Sequence, residues 1–218
     1  MSGEKRYSLR RIGMMLFGIL LIGMCVASYR MSGFGVDAFS CMNLGVSGFL
    51  GMSFGSWQLI VNAVLLAVVW LAMRHCIGLG TVVNMVCVGY TADFLCWLCL
   101  DQLGLPTTLP VRILLLLLGT LFASLGCAFY MTADMGISPY DSVAFIITKY
   151  AGGKVSFRLA RVLSDVTVIV IGVAFCAMAH DSIWAIVGLG TIVNACCNGP
   201  LIQFFRERIE ERIGKNGT

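Results

Sequence analysis

The chain has 218 residues, of which 59% are apolar and 12% are charged, and its mean hydropathy is +0.91. Soluble domains carry about twice that charged fraction, so the composition excludes an ordinary soluble protein. The net charge of +4 does not indicate a nucleic-acid partner, because the basic residues cluster at the ends of apolar segments, where they set orientation in a membrane. The sequence therefore predicts an all-α, polytopic protein of the lipid bilayer that forms a single membrane domain over residues 1–218.

Apolar stretches near the roughly 20 residues needed to cross a bilayer occur six times. Two weaker segments, 35–50 and 136–150, are shorter, and the second begins with Ser138 as a helix cap and Pro139 as the first helical residue. A dozen helical residues span less than about 20 Å, whereas the hydrocarbon core is about 30 Å thick. We therefore expect two short or re-entrant helices in addition to six full spans. The predicted spans are 12–29, 57–73, 77–100, 111–131, 158–179 and 183–205.

One phrase occurs twice in the chain. Residues 78–84 read Gly-Leu-Gly-Thr-Val-Val-Asn, and residues 188–194 read Gly-Leu-Gly-Thr-Ile-Val-Asn. The similarity extends into the flanking sequence and predicts two internal repeats of about 105–110 residues, at about 12–104 and 110–205. Further matching pairs are Cys87 and Cys197, Gly89 and Gly199, Phe94 and Phe204, Ser53-Phe54 and Ser156-Phe157, Asn62 and Asp165, and Tyr29 to Gly35 with Tyr130 to Gly136.

With six spans, most basic residues fall on one side of the membrane, which also holds both chain ends and the short tail 206–218. Only Arg30 and Arg112 would lie on the other side, at helix boundaries. Because basic residues are enriched in cytoplasmic segments, this pattern predicts a cell-membrane protein with cytoplasmic termini and oppositely inserted repeats. The alternative is eight spans with parallel repeats, which also keeps the largest basic clusters inside. The basic residues of the predicted cytoplasmic side are Lys5, Arg6, Arg10, Arg11, Arg74, Lys149, Lys154, Arg206, Arg208, Arg212 and Lys215.

Polar side chains inside an apolar chain are the first candidates for a site, because they are costly in a membrane. Asn84 and Asn194 occupy the same place in the two copies of the repeated phrase. Both amides could line a central site, or each could hold the bundle together by bonding a neighbouring helix. The preceding Gly-x-Gly would let another backbone come close.

Asp37 and Asp141 form a second pair, each near the start of a weak segment. Asp141 follows Pro139-Tyr140 in the first helical turn, where a carboxylate is favoured by the helix dipole. Each carboxylate could cap its helix or bind a proton or cation at a broken helix. Asp165 lies four residues after Arg161, which predicts an intrahelical salt bridge.

No motif indicates a catalytic or metal centre, and we expect neither an enzyme nor a cofactor. The chain has ten cysteines, most of them within apolar runs, where cysteine behaves as a small hydrophobe. Cys96 and Cys99 form a lone CxxC without a second pair or a nearby histidine, so we do not predict a metal site.

The combination of a Gly-rich turn, Pro-aromatic-Asp, a helix and Gly-Leu-Gly-Thr-x-x-Asn resembles the YczE/YyaS/YitT group of bacterial integral membrane proteins. The matching pieces are 136–141, 78–84 and 188–194, and the resemblance covers about 12–205. The first repeat departs from it, since 33–37 lacks the Pro-aromatic pair. The resemblance implies a bacterial cytoplasmic-membrane protein and supplies no substrate.

Two hypotheses for the function follow. Internal repeats with paired interrupted segments are typical of secondary transporters, whose site lies between the repeats. In that case Asp141, Asn84 and Asn194, with Asp37, would contact a small polar or charged solute beside Pro139 and Tyr140. Alternatively the protein is a non-transporting scaffold or accessory factor. The small size of a six-span bundle favours a homodimer.

Overall fold

The computed structural model describes residues 8–152 and 154–215, with side chains up to Arg212. These residues are almost entirely helical, and no strand occurs among them. Of the basic residues counted above, Lys5, Arg6 and the side chain of Lys215 lie outside the described part. The helices are α1 (Leu9–Ser32), α2 (Ala38–Leu50), α3 (Phe54–Met73), α4 (Leu79–Cys96), α5 (Leu109–Ala133), α6 (Pro139–Tyr150), α7 (Phe157–Met178), α8 (Ile183–Ile186) and α9 (Leu189–Lys215).

Six segments of this bundle are long and apolar enough to cross a membrane, as predicted. A 3₁₀ turn at Arg74–Cys76 lengthens α3, and a π-helical turn at Trp97–Gln102 lengthens α4. The last of these segments, Ile183–Arg212, contains the predicted span 183–205, but it is interrupted at Val187, where the chain is extended between α8 and α9. Helix α9 continues beyond its apolar part, through most of the predicted tail, to Lys215.

The two short helices have 13 and 12 residues, so each is about 20 Å long or less. Asp37 caps α2 by accepting a hydrogen bond from the Ser40 amide at 3.0 Å. Ser138 caps α6 by accepting one from the Asp141 amide at 3.1 Å, and Pro139 is the first helical residue, as predicted. Neither helix is long enough to cross the bilayer.

Helices α1 and α5 pack side by side in opposite directions. At one end of the bundle, which we name the first end, Arg11 near the start of α1 pairs with Asp134 after α5 at 3.0 Å. At the second end, Arg112 near the start of α5 donates to the Ser32 carbonyl of α1 at 2.6 Å. Eight spans would require these helices to be parallel, so the eight-span alternative is wrong.

The repeated phrase holds the turns that lead into the short helices of the other half. The Gly80 amide donates to the Met135 carbonyl at 2.9 Å, and the Gly190 amide donates to the Phe34 carbonyl at 2.6 Å. A Cβ added to Gly78 would collide with the Met135 carbonyl. The interpretation that Gly-x-Gly admits another backbone is therefore confirmed, and each phrase fixes the start of the opposite short helix.

Candidate functional site

The amino ends of the two short helices meet inside the bundle. Phe39 is the second residue of α2 and Tyr140 the second of α6, and their rings stack with centroids 4.5 Å apart. From this contact α2 runs to the second end, where Gly48 approaches Asp181 beyond α7. Helix α6 runs to the first end, where Lys149 donates to a carbonyl at the end of α3. Two positive helix ends therefore converge on one place.

A cluster of charged side chains surrounds this meeting point, with Arg161 of α7 at its centre. The Arg161 guanidinium pairs with Asp141 at 2.5 Å and with Asp165 at 3.3 Å. It also lies 4.9 Å from the centroid of the Tyr140 ring. The Tyr140 hydroxyl donates to the second oxygen of Asp165 at 2.5 Å. The predicted bond between Arg161 and Asp165 is confirmed, and it is one part of a larger network between α6 and α7.

These charged side chains are not sealed inside the chain. The exposed fractions are 35% for Arg161, 47% for Asp141 and 32% for Asp165. Charged groups at membrane depth face a protein interior or a water-filled cavity, because contact with lipid tails is too costly. The cluster therefore borders a space that water, a solute or another protein fills.

Asp141 binds both the capping residue of α6 and the central arginine of this network. The Ser138 hydroxyl donates to one Asp141 oxygen at 2.6 Å, and Arg161 binds the other. Asp37 differs, because it is itself the cap of α2, the role that Ser138 has in α6. The two carboxylates that the sequence suggested as a pair are thus not in equivalent positions.

Asp37 lies in the connection between α1 and α2, outside the six spans. Burial raises the pKa of Asp37 above the usual value of an aspartic acid, and the nearby Asp165 carboxylate adds to this effect. Hydrogen bonds from Ser40 and the charge of Arg161 act in the opposite direction. The Asp37 carboxyl group is therefore more easily protonated than that of an aspartic acid in water.

Replacing Asp37 by asparagine should raise the melting temperature at neutral pH. A carboxyl group whose pKa is higher in the folded state costs stability as the pH rises from its unfolded pKa, about 3.9, through its folded pKa. Asparagine removes this ionisation and still caps the helix. Thermal unfolding in detergent between pH 4 and pH 8 should show a gain that disappears towards pH 4. The exposed Asp101→Asn is the control, and a uniform loss in Asp37→Asn would contradict the expectation.

The two asparagines of the repeated phrase lie apart from this network. The Asn194 side chain lies beside the Tyr29 hydroxyl of α1, which also bonds Thr120 at 3.0 Å. Asn84 is half-buried on α4. The hydrogen bonds and ion pairs of the described cluster residues do not involve it. The position of Asn194 beside Tyr29 agrees with the interpretation that this asparagine holds neighbouring helices together. Pro139, Tyr140, Asp141 and Asp37 are brought together, whereas Asn84 and Asn194 are not.

Sequence reasoning missed two members of the site. Arg161 was assigned only a local salt bridge, although a basic residue four positions into an apolar span is itself a signal of a functional site. Phe39 was missed because the two predicted repeats were aligned by matching Asp37 with Asp141. Aligned through the glycines Gly35 and Gly136, Phe39 has the place of Tyr140.

The described residues contain no group of three or more histidine, cysteine, aspartate or glutamate side chains arranged to hold a metal ion. The cysteines among them are free thiols. The chemistry of the site is therefore that of its carboxylates, one guanidinium, one phenol and two helix amino ends.

Comparisons with known proteins agree with the membrane architecture. An uncharacterized protein of Haemophilus influenzae is 26% identical over 196 residues, which cover 90% of this chain and 83% of the relative. The uncharacterized protein YyaS of Bacillus subtilis is 23% identical over 201 residues, covering 91% of this chain and 94% of the relative. The uncharacterized membrane protein YczE of Bacillus subtilis is 24% identical over 170 residues, covering 78% and 73%. No solved structure matches the chain.

The resemblance to the YczE and YyaS proteins is thus confirmed. A family model, that of the family of unknown function DUF6198, matches residues 9–207, which is nearly the whole bundle. The chain is a multi-pass membrane protein that belongs to the family DUF6198.

Proposed function

We propose that the protein is a secondary transporter of the bacterial cytoplasmic membrane, with its solute site where the two short helices meet. The observation that carries this proposal is the contact of Phe39 with Tyr140 above the Arg161 cluster. Interrupted helices whose amino ends converge at mid-depth are the usual way in which transporters build a site between their halves.

The paired contacts of the bundle support two halves of opposite orientation. Arg11 donates to the Ala133 carbonyl at 2.9 Å, and Arg112 donates to the Ser32 carbonyl at 2.6 Å. Arg112 lies 101 residues after Arg11, and Ala133 lies 101 residues after Ser32. The donor belongs to the first half of the chain in one pair and to the second half in the other. A two-fold exchange of this kind is expected of inverted repeats, which provide two alternative conformations of similar energy.

The orientation in the membrane follows from charge. Most basic residues belong to the first end, so the first end is assigned to the cytoplasm. Both termini are then cytoplasmic, and α6 enters the membrane from the cytoplasmic side. A cavity of about 490 Å³ opens at the second end between α2, α3 and α7, and its lining includes Gly48, Asp93 and Asp181. This cavity is the approach for a solute from outside the cell.

The charges of the site favour a cationic solute or a proton. Three carboxylates, Asp37, Asp141 and Asp165, face one guanidinium, that of Arg161. Two helix amino ends add about half a positive charge each, which leaves a deficit of about one positive charge when all carboxylates are ionised. A proton on Asp37 or Asp141, or the positive group of a solute, would fill it, so these aspartates are the proposed coupling residues.

The test starts with the purified protein and a panel of amino acids, polyamines, quaternary amines and carboxylates. We expect at least one cationic compound to raise the melting temperature of the wild type and of Asp101→Asn, and to have no effect on Asp141→Asn. The same compound should enter proteoliposomes in response to a pH gradient. Normal uptake by a correctly inserted Asp141→Asn would remove Asp141 from coupling.

A scaffold or accessory role is the other outcome of this experiment. It would be favoured if no compound stabilised the protein and a stoichiometric partner co-purified through α9 beyond Arg206. The charged, exposed end of α9 would then be the contact surface instead of a cytoplasmic end of a transporter.

A further inference from the structure

At the second end, the tip of α3 is docked in a groove between α1 and α4. Phe54, the first residue of α3, is only 3% exposed, and Arg30 of α1 lies over its ring at 4.8 Å. The Gly55 amide donates to one oxygen of Asp93 at 2.7 Å, while Arg30 binds the other oxygen at 2.7 Å. A Cβ on Gly55 would lie 2.9 Å from the Gly89 carbonyl carbon, so the two backbones touch.

At the first end, none of the described residues fills the corresponding groove between α5 and α9. It forms a cavity of about 460 Å³ whose lining includes Met131, Gly199 and Gln203. By the offsets of the repeat, these residues correspond to Arg30, Gly89 and Asp93, which hold the tip of α3. A Cβ added to Gly199 would meet nothing within 4 Å.

The segment that corresponds to the docked tip is the start of α7, and it lies elsewhere. Phe157 has the place of Phe54 and is 43% exposed, packed against Phe145 of α6. Arg158 has the place of Gly55 and is exposed. Within the described part of the chain, the groove of one half is thus filled by the tip of a helix and the groove of the other half is not.

We propose that the groove between α5 and α9 is a docking site for the tip of α7, and that filling it closes the cytoplasmic end of the protein. Charge complementarity supports this occupant, because Glu207 and Glu210 also line the groove and the tip carries Arg158. Arg206, which also lines the groove, pairs with Glu210 at 2.7 Å, and Glu207 accepts a hydrogen bond from the neutral Gln203 at 3.0 Å. The negative charge of Glu207 is therefore available to Arg158. The docked fit is looser than at the second end, since Arg158 has a side chain where Gly55 has none.

The position of Arg161 links this motion to the solute site. In the docked half, Gln58 has the place of Arg161, and its amide oxygen lies 2.6 Å from the position of a Cβ on Gly89 of α4. In the undocked half, Arg161 is instead held by Asp141 of α6. The bond between Arg161 and Asp141 therefore holds the tip of α7 away from the groove, and neutralising Asp141 releases it. This inference rests on the proposed transport function for its purpose.

The test is thiol cross-linking in a cysteine-free background. Leu159→Cys with Gln203→Cys places one thiol on the tip beside Arg158, whose charge is kept, and one in the groove, both at exposed positions. We expect a short bifunctional reagent to join them within one chain, and Asp141→Asn to increase the rate about five-fold, the effect of losing one partly exposed ion pair. Leu159→Cys with Ile192→Cys, which lies towards the other end of α9, is the matched negative pair.

Phe145→Cys with Phe157→Cys is the positive pair, because these residues are in contact in the undocked state. Its cross-linking should decrease in Asp141→Asn as the first pair increases. No cross-link of the first pair in either background, with the positive pair reacting normally, would overturn the docking proposal. A product with twice the mass would also overturn it, by assigning the groove to a second copy. The cross-linking assay needs no solute, so its result can be interpreted even if the transport assay fails.

Discussion

Replacing Arg161 by glutamine is expected to lower the melting temperature by about 5 °C and to abolish any stabilisation by a solute. The change leaves Asp141 and Asp165 close together without their shared cation. Removing one partner of a fully buried pair costs about 3–5 kcal/mol, and the partial exposure of these side chains reduces this to about 2 kcal/mol. For a chain of this length, each kcal/mol corresponds to about 2–4 °C.

Arg158→Gln is the control, since Arg158 is exposed and lies one turn earlier on the same helix. Adding Asp141→Asn to Arg161→Gln should recover about half of the lost stability, because one of the unpaired carboxylates is then neutral. An Arg161→Gln protein as stable as the Arg158→Gln protein would contradict the central position of Arg161.

Replacing Gly45 by alanine should lower the free energy of unfolding by about 3 kcal/mol, the upper range for overpacking. Helices α2 and α7 cross at Gly45 and Gly172, and a Cβ on Gly45 would collide with the Gly172 carbonyl. A backbone cannot rotate away as a flexible side chain does, so the short helix must move off α7. Folded yield after extraction and thermal unfolding measure the loss.

Gly13→Ala in α1 is the matched control, because a Cβ there meets nothing within 4 Å. Alanine favours helix over glycine by about 1 kcal/mol in an exposed helix, so the control should be neutral or more stable. Equal behaviour of the two alanine variants would mean that α2 is not held against α7.

The sequence was sufficient for the features that depend on composition and local spacing. The six spans follow from apolar length, and the short α6 follows from Ser138 and Pro139. The bond between Arg161 and Asp165 follows from helical periodicity, because residues four apart lie on the same face. Charge placement alone did not exclude the eight-span alternative, because the largest basic clusters lie on the cytoplasmic side with either six or eight spans.

The remaining features depend on contacts between distant segments. Antiparallel packing of α1 on α5 brings Phe39 to Tyr140, and Phe39 has no polar group that would mark it in an apolar chain. The break at Gly188 was missed because its flanking residues are as apolar as the helices they interrupt. It is fixed by the Phe34 carbonyl of the other half, which accepts from the Gly190 amide.

The most direct test of the central claim is the sidedness of the two halves in the membrane. Single cysteines at Gly51, exposed at the end of α2, and at Met131, 49% exposed near the end of α5, would be placed in a cysteine-free background. Intact cells would then be treated with an impermeant thiol reagent. The account predicts labelling at position 51 from outside, and labelling at position 131 only after the membrane is opened. Labelling of both positions from outside, or of position 131 alone, would contradict the inverted arrangement and remove the basis for the transport site between the halves.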